Sequence, residues 1–125
     1  MNVVDSSGWL EYFADGPNAH QFAKPIEATS KLIVPTLSIF EVFKRVMTQR
    51  GEDVALEAAA LMRQGRVVPL DDALALEAAR LSVAERLPMA DSVILATARA
   101  HNATLWTQDA DFEHVATGVR YIAKH

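Results

Sequence analysis

The chain has 125 residues, half of them apolar, with 12 basic residues against 16 acidic ones and no cysteine. That size suits one domain with a proper core, spanning residues 1–125, and the lack of Cys excludes disulfides, thiolate zinc sites and Cys nucleophiles. A net charge of −4 denies the molecule a global basic field, so any phosphate binding must rest on held cations and a local basic strip.

Asn2-Val3-Val4 is a short β-branched run that reads as a buried strand. Asp5-Ser6-Ser7 offers helix caps, and Trp9, Leu10, Tyr12 and Phe13 then form an apolar helical stretch stopped by Asp15-Gly16-Pro17. A second helix is predicted from Pro17 to about Thr29, with Pro17 in its first turn. Leu32-Ile33-Val34 is the second strand, closed by Pro35. Thr36 or Ser38 should cap the next helix, which runs to Arg50-Gly51. Asp53 to Arg63 is an alanine-rich helix, and Val67-Val68 a third strand. Asp71 or Asp72 caps a long helix that Pro88 interrupts, and Ala90 to Ala100 forms the next. Thr104-Leu105-Trp106 is the fourth strand and Tyr121-Ile122-Ala123 a short fifth.

Strands alternating with helices predict an α/β/α sandwich with a mainly parallel central sheet. Asp5 occupies the place where a signal peptide needs an apolar run, and no apolar stretch suffices to span a bilayer. A soluble, cytoplasmic protein without membrane contact is therefore expected.

Four acids carry the functional reading. Asp5 and Asp109 each follow a strand, and Glu41 and Asp91 sit in the first turns of helices starting at the same sheet edge. In open α/β sheets that edge is where ligands bind. Like charges gathered there resist joint ionisation unless a hard cation such as Mg²⁺ or Mn²⁺ sits among them. Removing these four acids leaves 12 charges of each sign.

Each acid also has an ordinary explanation. Asp5 and Asp91 suit helix N-termini, and both roles of Asp5 require one oxygen to be spared. Glu41 could pair with Arg45 one turn away, for a few tenths of a kcal/mol at most. Asp109 could be a turn residue, oriented by the Thr107 hydroxyl, and Asp111 is either a fifth acid of the metal shell, through water, or the cap of a short helix at Phe112, with the cap favoured. Ser6, beside the first carboxylate, could hold a metal-bound water, and Lys44 and Arg45 could meet a phosphate backbone. His20, His101, His114 and His125 have no ligand-like spacing and read as surface residues. Trp9 and Trp106 read as core.

In order, Val4-Asp5-Ser6-Ser7, Glu41-Val42, Ala90-Asp91-Ser92-Val93-Ile94-Leu95-Ala96-Thr97-Ala98 and Leu105-Trp106-Thr107-Gln108-Asp109-Ala110-Asp111-Phe112 resemble the PIN domain, and specifically the VapC-like toxins of bacterial toxin–antitoxin pairs. The resemblance implies a Mg²⁺- or Mn²⁺-dependent endoribonuclease, commonly a homodimer. It also implies a small cognate antitoxin that pushes a segment, often with an Arg or Lys, into the acidic site. On that reading Asp5, Asp91 and Asp109 are the principal metal ligands, and Glu41 is a ligand or orients the attacking water.

Two other classes use similar sheets. A phosphatase needs a second acid two residues after its nucleophilic Asp, where this chain has Ser7. A non-catalytic Mg²⁺-binding receiver needs an acceptor Asp after the third strand and a Lys after the fifth. Lys124 suits it, but Asp71 and Asp72 read as caps. A regulatory interaction module would show Trp9, Tyr12, Phe13, Phe40 and Phe43 on the surface.

Overall fold

Alternation along the strands decides the layering. In the computed structural model, which describes residues 1–125, β1 (Asn2–Val4), β2 (Leu32–Pro35), β3 (Arg66–Val68), β4 (Thr104–Thr107) and β5 (Val119–Tyr121) form one sheet in the order β3-β2-β1-β4-β5. All four pairings are parallel. Val3, Ile33 and Leu105 point to one face, into a cluster with α5 (Asp72–Glu85) and α6 (Met89–Ala100). Val4, Leu32 and Val34 point to the other, beneath α1 (Ser6–Phe13), α2 (Ala19–Glu27), α3 (Thr36–Arg50) and α4 (Glu52–Met62). Successive side chains on a strand face opposite sides, so the central strands of a parallel sheet covered on both faces carry apolar runs, as Val3-Val4 and Leu32-Ile33-Val34 do. The result is the expected α/β/α sandwich, with a sheet that is wholly rather than mainly parallel.

Several boundaries differ from the sequence reading. Helix α2 starts at Ala19 rather than Pro17, because Asn18 is engaged elsewhere: its backbone N–H donates to Glu11 Oε2 (2.7 Å) and its side chain to Gln108 Oε1 and the Ala123 carbonyl. Neither Thr36 nor Ser38 caps α3. Pro35 occupies the N-cap, and the Ser38 hydroxyl is buried without a partner. The last strand lies two residues earlier than expected, since its pairing with β4 stops at Thr107, where the chain leaves the sheet. Asp71 does cap α5, accepting from the Leu74 N–H at 2.8 Å.

Gly8 sets how closely α1 approaches the sheet. A Cβ there would lie 2.6 Å from Val4 Cγ1 and 2.7 Å from the Phe22 ring. Helix propensity alone favours Gly8→Ala by up to about 1 kcal/mol. Overpacking should win, and the variant should be destabilised by about 1–3 kcal/mol in urea denaturation. A stabilised variant would show that the α1–β1 contact relaxes freely.

Candidate metal centre

The chain runs outward from β1 through β2 to β3, then crosses back to β4. The order therefore reverses between β1 and β4, and the crevice beyond the carboxyl ends of these two strands is the place where such sheets bind ligands. Asp5 leaves β1 there, its N–H bonded to the Trp106 carbonyl of β4 (3.1 Å). Asp109 follows β4, and helices α3 and α6 bring Glu41 and Asp91 to the same place.

Asp5 is buried and caps α1. Its Oδ1 accepts from the Gly8 N–H (3.2 Å) and from Ser7 Oγ (2.6 Å), and its Oδ2 from Thr107 Oγ1 (2.8 Å). A carboxylate has about four lone-pair sites, so Oδ2 keeps one. Capping and ligation are thus compatible. Burial pushes its pKa up to about 6, against the pull of these hydrogen bonds and with a smaller push from the Asp109 charge.

Asp91 lies half-buried in the first turn of α6, which has no side-chain cap. Burial raises its pKa to about 7, aided by the charges of Asp109, Asp5 and Asp111. Glu41 is half-buried on α3, and its Oε1 accepts from Ser6 Oγ at 3.0 Å. Burial, with the Asp109 charge, raises its pKa despite that bond. These shared Coulomb effects place all the acids within one electrostatic neighbourhood.

Oxygens of Asp91, Asp109 and Asp111 lie within 4.8 Å of one another. Asp111 is thus part of the cluster and not the cap. The cap of the short 3₁₀ turn Ala110–Phe112 is Asp109, which accepts from the Asp111 N–H (2.9 Å).

Thr107 orients Asp109 as the sequence suggested, and the two serines take partners that it left open. Ser6 serves Glu41. Thr107 donates to Asp5 and accepts the Asp109 backbone N–H (2.9 Å), so it orients Asp109 through the main chain. Ser7, which sequence reasoning passed over, donates to Asp5 and accepts the Gln108 N–H (3.2 Å). Its signal was a second hydroxyl in the first turn after an acid. Gln108 is held in turn by Asn18, which is fully buried.

The ordinary explanation of Glu41 fails, because Arg45 does not pair with it. The chain's only ion pair is Arg80–Glu77, on α5. Lys44 instead sits 5.8 Å over the Phe40 ring. No histidine joins the acids: His20, His114 and His125 are exposed, and the half-buried His101 ring meets the Thr97 carbonyl. Trp9 is core as expected, whereas Trp106 is half-buried with Arg120 stacked 4.5 Å from its ring. Of the aromatic residues that a regulatory surface would expose, only Phe40 is exposed.

The donor set is all carboxylate, with no basic partner. Hard oxygen ligands in this number suit Mg²⁺ or Mn²⁺ and not a softer metal. Asp91, Asp109 and Asp111 present the convergent oxygens that fit such an ion, and Asp5 and Glu41 are coupled to them by charge without joining that group.

The PIN domain family profile matches residues 3–118. No curated protein matches the chain in sequence. Among solved structures, the chain is similar to a toxin–antitoxin complex from Klebsiella pneumoniae, with TM-score 0.79 and 21% identity over 96% of each chain. It is also similar to VapC20 of Mycobacterium tuberculosis, described as a sarcin-ricin loop cleaving toxin (0.73, 21%, 90% of this chain and 93% of that one). A third is FitAcB from Neisseria gonorrhoeae (0.74, 19%, 95% and 96%). At such identities these likenesses speak to the fold, and the family follows from the profile. With a match over almost its whole length and acids gathered at the sheet's switch point, the chain belongs to the PIN domain family.

Proposed function

We propose that residues 1–125 form a single metal-dependent endoribonuclease, a VapC-like toxin that hydrolyses RNA phosphodiester bonds and is inhibited by a small cognate antitoxin. The observation that carries this reading is the convergence of Asp91, Asp109 and Asp111 oxygens within 4.8 Å, beside buried Asp5 and without a basic neighbour in ion-pair contact. The solved relatives lend RNA and the antitoxin as partners, since one is a cleaving toxin and another a toxin–antitoxin complex.

Asp5, Asp91 and Asp109 are assigned as metal ligands, joined by Asp111 on geometry. Mg²⁺ or Mn²⁺ bound here supplies a more acidic water and screens the phosphate and the leaving oxygen. Glu41 keeps one oxygen free of protein hydrogen bonds while Ser6 fixes the other, which suits it to orient the attacking water and accept its proton at Oε2. Ser7 and Thr107 hold the Asp5 carboxylate between β1 and β4, so the ligand geometry is set before substrate arrives.

No helix is long and apolar enough to cross a membrane, which supports a cytoplasmic site of action. The homodimer and the antitoxin contact rest on the family match and on the toxin–antitoxin complex among the solved relatives. The receiver alternative loses support from the strand order, since receivers use 2-1-3-4-5 and this sheet is 3-2-1-4-5.

The test is incubation of the purified chain with total RNA in Mn²⁺ or in EDTA, followed by mapping of fragment ends. Cleavage at defined sites in Mn²⁺ alone is expected. Equal fragmentation in both arms, or none in either, overturns the reading.

A further inference from the structure

Beside the acids, between α1, α3 and α4, lies a cavity of about 730 Å³. None of the acids lines it, but it adjoins the proposed centre through residues bonded to them. Three residues lining its near end are Ser6, hydrogen-bonded to Glu41, Ser7, hydrogen-bonded to Asp5, and Gln108, the residue before Asp109. Its walls carry Arg45, Arg50 and Lys124, all exposed. None is in an ion pair, since the chain's only one is Arg80–Glu77.

Two acids also line the cavity, Glu11 and Glu57. The Glu11 carboxylate is turned into the fold, accepting from Gln108 Nε2 (3.3 Å) and the Asn18 N–H (2.7 Å). Three cations thus stand against two carboxylates, of which only Glu57 lacks protein hydrogen bonds. In a chain of net charge −4, this local positive balance beside an acidic cluster complements a polyanion that passes the acids. Phe13 and Leu10 add apolar surface to its walls, which suits base faces as it suits no free phosphate.

We propose that this groove carries the RNA strand on one side of the scissile phosphate, with Arg45, Arg50 and Lys124 holding its backbone. The proposal rests on the ribonuclease reading and names the path of its substrate. Lys44, one of the two phosphate contacts expected from sequence, is not among the residues lining the groove; Arg45 is.

The test uses fluorescence anisotropy of a labelled, short, single-stranded oligoribonucleotide of mixed sequence, with the full chain in EDTA so that nothing is cleaved. Single-strand affinity falls with salt by about 0.7 log unit per log unit for each phosphate contact. Three contacts give a slope near −2, or roughly a 20-fold loss over a fourfold rise in salt. The triple variant Arg45→Gln, Arg50→Gln, Lys124→Gln should bind more weakly and lose most of that slope, and each single variant about one third of it. Arg80→Gln, on the opposite helix layer, should match wild type. The single variants serve if the triple variant does not fold.

Wild-type affinity and slope in every groove variant, with Mn²⁺-dependent RNA cleavage intact, overturn the groove and leave the ribonuclease reading standing. So does a triple variant that keeps RNA binding with its full salt slope, for the three cations then serve another ligand. A wild-type chain that neither binds nor cleaves RNA overturns both.

Discussion

Asp91→Asn should abolish RNA cleavage, lowering the rate by about 10³-fold or more, equivalent to about 4 kcal/mol of activation free energy. The same change should raise the stability of the metal-free fold. Asp91 is half-buried, faces the charges of Asp109, Asp5 and Asp111, and has its pKa pushed up to about 7. The amide removes a charge that the fold tolerates poorly and keeps the shape. Asp5→Asn should be equally inactive but gain less stability. Its carboxylate accepts bonds from Ser7, Gly8 and Thr107, and an amide has one acceptor oxygen where two are used. Leaving one buried hydroxyl poorly paired costs about 1–2 kcal/mol, which offsets the relief of a carboxyl whose pKa burial pushes up to about 6. A larger thermal gain for Asp91→Asn than for Asp5→Asn, with activity lost in both, is therefore the signature of the proposed site. Cleavage at the wild-type rate by either folded variant removes that residue from it.

The second large effect is a reversal of pH dependence by metal. Asp5 and Asp91 titrate near about 6 and about 7 in the fold, against 3.8 for ordinary carboxyls. Between about pH 4 and pH 7 the folded chain binds more protons than the unfolded one, so stability falls as pH rises. The stabilising contribution of the protonated forms is complete below the unfolded pKa and is lost as pH passes through the folded values. Saturating Mg²⁺ should reverse this, because the ion takes the place of the protons and binds better as they leave. At a hundredfold excess over its dissociation constant it adds about 2.7 kcal/mol. Thermal midpoints across this range, in EDTA and in Mg²⁺, measure both effects. Asp91→Asn should flatten the EDTA profile and blunt the metal response. A wild-type profile indistinguishable from that of Asp91→Asn in both buffers would remove Asp91 from the metal centre.

Both expectations depend on residues far apart in sequence, and the sequence made some of their relations visible and hid others. The β-branched and apolar runs at Val3-Val4, Leu32-Ile33-Val34 and Leu105-Trp106 announced buried parallel strands, because a strand covered on both faces carries an apolar run. Chain order then told which strand ends and helix starts share an edge, and so brought Asp5, Glu41, Asp91 and Asp109 to one side of the sheet. Local chemistry was also legible where it is local: Asp5 and Asp71 cap the helices that follow them.

What depended on contacts between distant segments was decided only in three dimensions. Asp109 and Asp111 both suit a turn, and choosing the cap required knowing that α6 stands opposite Asp111 with Asp91 upon it. The hydroxyls of Ser7 and Thr107 meet Asp5 from residues 2 and 102 positions away, and no spacing rule couples the second pair. Arg45 looked like the partner of Glu41 by helical spacing, yet it lines the groove while Ser6, 35 residues off, holds Glu41. Composition and periodicity determine which faces are buried, since burial follows from each residue's own free energy of transfer. Which polar atoms meet is decided by the packing of whole elements, because a hydrogen bond needs its partner within about 3 Å, a distance that local sequence does not encode.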